Sequence, residues 1–266
     1  MKKTAYLGPA GSYSQLAAQK MRPNDEKIEG KSFLEVASLV LSGKADYAVL
    51  PIENTLNGGV TQNVDILQYS DGLVAVQELT LEINHRLIYK KGADIRKITR
   101  IFSHAQALAQ CSNYLEKHFS GASLIATPST SGCVALIAND TDAGIVGSQF
   151  EVGEFAVLDA NIADEKNNYT HFLLVKKGEI ASDKSSKKIY FSATCKHQTG
   201  ALLSLLTTIK DCSFNMTKIE SRPIKDKMGE YRFFIEIEGD YSSEQTKKSL
   251  EKIKAETSSY KLLGCY

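Results

Sequence analysis

The sequence lacks an excess of charge of either sign, an apolar run long enough to cross a bilayer, cysteines at paired spacing, and any histidine motif for a metal. Each absence removes a class of function. Lys and Arg number 32 against 31 Asp and Glu, for a formal net charge of +1, and they are scattered rather than clustered. Such a surface offers no electrostatic basis for binding nucleic acid or an anionic membrane. The opening MKKTAYLGPAG has two lysines, but its apolar stretch stops at Gly8 and Pro9, too short for a signal-peptide core. No later segment approaches the length of a membrane span. The five cysteines, at 111, 133, 195, 212 and 265, are odd in number and contain no CxxC, which argues against both a disulfide framework and a zinc site. The five histidines, at 85, 104, 118, 171 and 197, show no HExxH or related ligand spacing. The expectation is a metal-free, cytoplasmic protein without a nucleic-acid or membrane partner.

What is present is an ordinary globular composition, 42% hydrophobic and 24% charged, over 266 residues. That length accommodates one large domain and one small one. Apolar strands are expected at 4–7, 44–52, 73–79, 85–89, 98–102, 123–126, 143–146 and 172–176. Helical spacing occurs from about 14, at 33–41, at 105–118 and at 132–139. Strands alternating with helices predict an α/β domain with a largely parallel sheet. Its halves, to about 77 and from there to about 165, predict two lobes with a cleft between them. Residues 179–187 are polar and rich in Ser and Lys, and read as a linker. From 188 onward the order is strand 188–195, helix 200–210, strands 216–222 and 230–238, helix 243–257 and strand 260–265. This βαββαβ order is the ferredoxin-like arrangement.

Four segments could carry chemistry. GPAGSYS at 8–14 can place backbone N–H groups and a hydroxyl near an anion, or simply form a turn ending in a Ser14 helix cap. PIENTLNGGV at 51–60 follows a buried strand, where α/β sheets collect ligands, and offers Glu53, Asn54 and Thr55 beside two glycines. The bland alternative is a loop whose asparagines satisfy its own backbone. In SHAQALAQC at 103–111, Ser103 and Gln106 have capping-box spacing. A helix starting there would put Ser103, Gln106 and Gln110 on one face, near its positive end. His104 as a general base is the weaker reading of that segment. NNYTHF at 167–172 supplies the Thr170 hydroxyl and an imidazole, His171, that titrates near neutrality.

Together, and in this order, these segments resemble the prephenate dehydratase family. GPAGSYS is similar to that family's GPxGTFS, PIENTLNGG to its PxENSxxG, SHAQALAQC to its SHPQALAQC, and NIADEKNNYTHF at 161–172 to its IxDxxxNxTRF. GALL at 200–203 and ESRP at 220–223 resemble the two signatures of the family's ACT regulatory domain. The resemblance implies a two-lobed, periplasmic-binding-protein-like α/β catalytic domain over 1–178 and an ACT domain over 188–266. It implies that prephenate loses CO2 and water to give phenylpyruvate, driven by aromatisation and without a cofactor. Thr170 would then assist departure of the hydroxyl. Ser12, Asn54, Thr55, Ser103, Gln106, Gln110 and His171 would line the substrate, and Phe172 would pack beside its ring. L-Phenylalanine would act as effector at Gly200, Ala201, Leu202, Leu203, Asn215, Met216, Glu220, Ser221, Arg222 and Pro223, in a homodimer or homotetramer joined through ACT domains.

The departures from the pattern are few. His171 stands where the family has arginine, so a permanent cation is replaced by a titratable one. Ala105 replaces proline, Tyr13 replaces phenylalanine, and Ser12 and Thr55 each exchange one hydroxyl residue for the other. Little chain precedes Lys3, so the expectation is the single-activity form without a fused chorismate mutase. Two alternatives stay open at this point: an arogenate dehydratase, and a non-catalytic small-molecule sensor.

Overall fold

The computed structural model describes residues 1–180, 186–224 and 227–266, so the 181–185 part of the expected linker lies outside the described residues. The chain begins β1 (Lys3–Leu7), α1 (Tyr13–Met21), β2 (Glu26–Gly30), α2 (Phe33–Leu41), β3 (Tyr47–Asn54), β4 (Gly58–Gly59), α3 (Thr61–Tyr69) and β5 (Leu73–Glu82). It continues β6 (His85–Lys90), β7 (Arg100–His104), α4 (Ala105–Gln110), α5 (Ser112–Phe119), β8 (Ser123–Thr127), β9 (Asp142–Gly147), β10 (Phe155–Ala160) and β11 (Tyr169–Lys177). Last come β12 (Lys188–Cys195), α6 (Ala201–Asp211), β13 (Met216–Ile224), β14 (Lys227–Glu238), α7 (Glu244–Ala255) and β15 (Thr257–Cys265). Contacts divide these into one compact unit of Met1–Asn63 with Leu79–Leu173, and a second of Val64–Glu78 with Leu174–Tyr266.

The first unit is mixed α/β. At its start β1 runs parallel to both β2 and β3, with α1 and α2 as the crossovers. Ser12 caps α1, accepting from the Gln15 N–H at 3.3 Å, so the cap falls two residues before the expected Ser14. Ser32 caps α2 in the same way, and the Glu35 carboxylate reaches back to the Lys31 N–H at 2.8 Å. β2 escaped the sequence reading because EKIEG has one apolar side chain and forms an edge strand. The other sheet has the order β10-β6-β9-β7-β8. β7 lies parallel to β8 and β9, whereas β6 is antiparallel to β9 and β10, so the sheet is mixed rather than largely parallel. Leu87, Ile101, Cys111, Ala143 and Ile145, all fully buried, form the centre of its core.

Two expected helices change. The one over 105–118 is broken at Cys111, because the Asp164 carboxylate accepts from Ser112 Oγ (3.0 Å) and from the Asn113 and Tyr114 N–H groups (3.1 and 3.4 Å). Those bonds satisfy a second helix N-terminus at the break. The one over 132–139 is only a 3-10 turn, Gly132–Leu136.

The second unit carries the expected βαββαβ order, with strands arranged β13-β14-β12-β15 and β5 beside β15. Ile189, Phe191 and Ala193 of β12 face the core made with Leu205 and Ile209 of α6 and Leu250 and Ile253 of α7. The alternate residue Ser192 meets the end of α3 through Gln68. Lys261 donates to the carbonyls of Leu67, Gln68 and Ser70, at the C-terminal end of that helix, and Arg222 bonds Asp65 at 3.2 Å. The sheet is thus covered on both faces, which explains the nearly unbroken buried run of β12.

In the first unit, Asp142 is fully buried and takes a bidentate pair from Arg100 (2.8 and 3.0 Å) together with the N–H groups of Ala138 and Asn139. Burial raises its pKa, but the Arg100 and backbone hydrogen bonds outweigh that and hold it below the ordinary value. Asp142→Ala is expected to cost about 3 kcal/mol, read as a lower urea midpoint with unchanged slope.

Candidate active site

The loop after β3 is organised by one side chain. Asn54 Oδ1 accepts the backbone N–H groups of Leu56 and Asn57, each at 3.1 Å, and Asn57 Nδ2 at 2.8 Å. Asn54 Nδ2 therefore points the other way. It donates to Asn168 Oδ1 (2.7 Å), the Tyr169 carbonyl (3.0 Å) and Thr170 Oγ1 (3.0 Å). Thr55 stitches the same two segments: its N–H donates to the Tyr169 carbonyl, its hydroxyl donates to the Asn167 carbonyl, and the Tyr169 N–H donates back to that hydroxyl, each at 2.9 Å.

The network continues inward. Asn168, fully buried, donates from Nδ2 to Gln110 Oε1 at 3.3 Å, and His85 Nε2 lies 2.9 Å from the same oxygen. His85 is only 4% exposed. Burial drives its pKa below the usual 6.5, partly countered by the Gln110 bond, so the ring is neutral around pH 7. Thr170, Asn54, Asn168, Gln110 and His85 thus form one continuous relay. Beside it lies a cavity of about 630 Å³ whose walls include Asn57, Gln106, Gln110 and Asn113. These four carboxamides can donate to an anionic ligand without a permanent cation. Asp164 and Glu165 also border it, with Asp164 engaged in capping α5. Cys111, next to this wall, has its thiol pushed up to about 12 by burial and then by the Asp164 charge, which removes it as a nucleophile.

The structure brings together Thr170, Asn54 and Gln110 by hydrogen bonds, with Gln106 on the cavity wall and Thr55 holding the loop. It does not place Ser103 on the helix face. β7 runs on through Ser103 and His104, which pair with Ala126 and Thr127. Ser103 is fully buried and donates to the Ile145 carbonyl at 2.8 Å. The capping role falls to His104, whose Nδ1 accepts the Gln106 N–H at 3.3 Å. Ser12 lies in a different depression, of about 320 Å³, with Gln15, Gln149 and Phe150. Its hydroxyl donates to the Leu7 carbonyl at 3.0 Å. His171 is half-buried on β11, and Phe172 sits in the core at 2% exposure.

Among the expected effector residues, Ala201 and Leu202 line a cavity of about 480 Å³ with His197 and Tyr231. Gly200, at the N-cap of α6, has a φ of 80°, a left-handed conformation that favours glycine. Leu203 is exposed, and Glu220, Ser221, Arg222 and Pro223 lie on β13, outside the walls of that cavity. Asn215 bonds Glu238 at 2.9 Å, and Met216 packs against the sheet core.

His85 and Asn168 are the site residues that sequence reasoning passed over. A lone histidine opening a strand carries no signature, whereas Asn168 stands at the asparagine of the IxDxxxNxTRF pattern, a signal that was there to be used.

The sequence model of the family described as prephenate dehydratase matches residues 4–180. The chain is similar to a bifunctional chorismate mutase/prephenate dehydratase of Enterobacter agglomerans, at 34% identity over 99% of this chain and 70% of that protein. It is 30% identical to a prephenate dehydratase of Amycolatopsis methanolica, over 100% of this chain and 88% of the relative. Its fold matches the crystal structure of a prephenate dehydratase from Arthrobacter aurescens in complex with L-Phe, with a TM-score of 0.89 and 25% identity over 99% of this chain and 89% of the other.

A buried neutral histidine makes stability depend on pH in a definite direction. Because the folded-state pKa lies below 6.5, the unfolded chain takes up the proton first as pH falls. The contribution is complete above 6.5 and declines below it. His85→Gln is expected to flatten that part of the profile, measured as urea midpoints across pH 5 to 8.

Proposed function

The chain belongs to the prephenate dehydratase family, and on that premise we propose that it converts prephenate to phenylpyruvate at the carboxamide-lined cavity. The reaction breaks the bond from the ring to its carboxylate, releasing CO2, and the freed electron pair completes the aromatic ring. The ring's C–O bond breaks with its electrons leaving on oxygen, which takes one proton to become water. Aromatisation supplies the driving force, so the protein's task is to hold two carboxylates and to stabilise the departing oxygen.

The observation that carries this reading is the 3.0 Å bond from Asn54 Nδ2 to Thr170 Oγ1. Because the hydroxyl accepts there, its own proton remains to be donated to the leaving oxygen. A threonine hydroxyl keeps its proton at neutral pH, so it acts as a fixed hydrogen-bond donor, with water supplying the proton consumed. Gln106, Gln110 and Asn57 are suited to the carboxylates.

The second unit is read as an ACT regulatory domain that binds L-phenylalanine near Ala201 and Leu202. The L-Phe complex of the Arthrobacter relative and the βαββαβ order support this. Leu203, Ile219 and Tyr231 are 69%, 43% and 48% exposed, an apolar surface that fits a homodimer or homotetramer joined through this unit. A cytoplasmic location accords with the chemistry and with the absence, among the described residues, of any helix long and apolar enough to cross a membrane.

Purified protein is expected to form phenylpyruvate from prephenate, and Thr170→Ala to lower kcat by about 100-fold or more at unchanged melting temperature. Turnover of arogenate but not prephenate would move the assignment to the aminated substrate. L-Phenylalanine is expected both to suppress turnover and to raise the melting temperature, by about 2.7 kcal/mol of added stability at a hundredfold excess over Kd. A titration that changes neither would remove the effector reading.

A further inference from the structure

The hydrogen-bond relay has only one consistent polarity, and the backbone dictates it. The N–H groups of Leu56 and Asn57 can only donate, so the Asn54 oxygen must face them and its nitrogen must face Asn168. Asn168 then presents its oxygen to Asn54 and its nitrogen to Gln110. Gln110 in turn must present Oε1, and that oxygen also receives His85 Nε2 at 2.9 Å. The imidazole must therefore carry its hydrogen on Nε2. The opposite tautomer would set two lone pairs against each other at hydrogen-bond distance. Nδ1 is buried and has no hydrogen-bond partner among the described residues, an arrangement that suits a bare lone pair and not an N–H or an imidazolium.

We propose that His85 is a positioning residue for catalysis: as the neutral Nε2–H tautomer it pins the Gln110 carbonyl oxygen inward, so that the two amide hydrogens of Gln110 are turned to the cavity to hold a substrate carboxylate. His85 is not a wall residue of the cavity and acts through Gln110, which is. Two donors, His85 Nε2 and Asn168 Nδ2, converge on one oxygen, and removing the stronger leaves the amide held by a single 3.3 Å bond. The amide then turns its oxygen to the cavity, and its hydrogen bond to a ligand carboxylate is lost. The inference rests on reading this cavity as the prephenate site, but its tautomer requirement does not.

Nitrogen-15 NMR of the full-length protein at neutral pH is expected to show His85 with a protonated Nε2 and a bare Nδ1. A protonated Nδ1, alone or in an imidazolium, overturns the proposal whether or not the protein turns prephenate over. In kinetics, His85→Leu is expected to raise KM for prephenate about tenfold with a smaller change in kcat, the loss of one charge-assisted hydrogen bond. His85→Gln, which restores a donor at the same reach, is expected to return KM to within about threefold of the parent. In a Gln110→Leu background the His85→Leu change is expected to have no further effect on KM. A parental KM in His85→Leu, a His85→Gln as impaired as the leucine variant, or full additivity with Gln110→Leu would each sink the idea. If the parent protein neither binds nor converts prephenate, the functional reading has failed instead, and the NMR result still decides the tautomer on which the inference stands.

Discussion

The side chain of Asn54 has no choice of orientation in this protein. Two backbone N–H groups of its own loop take its oxygen, and a carbonyl on the neighbouring segment takes its nitrogen. Buried amides are usually free to be satisfied in either sense; here the main chain removes that freedom, and everything downstream inherits the result. Thr170 becomes an acceptor, Asn168 and Gln110 are fixed in series, and His85 is fixed as one tautomer. A buried network of this kind is rigid because any reversed member would oppose like groups in a low-dielectric interior.

Much of this was legible in the chain, and for identifiable reasons. β12 runs over the residues expected from its apolar run, because burial on both faces leaves a continuous signature there. α2 coincides with its apolar spacing, framed by Ser32 and Glu35. The motif loops drew attention to Asn54, Gln110 and Thr170, although their separations in sequence say nothing about mutual distance. The misreadings share a cause. Ser103 and Gln106 have the spacing of a capping box, but pairing of β7 with β8 carries the strand two residues further and hands the cap to His104. Tertiary pairing overrode a local signal. The break at Cys111 likewise depends on Asp164, a residue distant in sequence. β2 was missed because it presents one apolar side chain, and α3 because Val64, Ile66 and Leu67 stand among polar residues, several of which bond Arg222, Ser192 and Lys261.

On the proposed reading, a dianionic ligand would be held by carboxamides, with no permanent cation in the wall and with Asp164 and Glu165 bordering it. Carboxamides present fixed dipoles and lose no proton over the physiological range, so their donor strength does not vary with pH. The acids at the rim are either engaged, as Asp164 is, or exposed, as Glu165 is. His171 stands in the strand that also carries Thr170. Charge selectivity in such a site is built from geometry more than from net charge.

The grouping of Val64–Glu78 with Leu174–Tyr266 has a consequence for how the chain is made. Ala75 on β5 pairs with Gly264 on β15, so one edge of a segment from the first third of the polypeptide is covered only when the last residues appear. At a synthesis rate of roughly 5–20 residues per second, that strand waits on the order of ten seconds or more after leaving the ribosome. Until β11, its neighbour on the other side, is made, its buried run of Leu73, Val74 and Ala75 has no native strand to join, and its β15 edge stays open for the whole interval. Nascent chains of this protein are therefore exposed to chaperone capture, and to pairing between neighbouring chains on one polysome, at a hydrophobic strand that the finished molecule conceals.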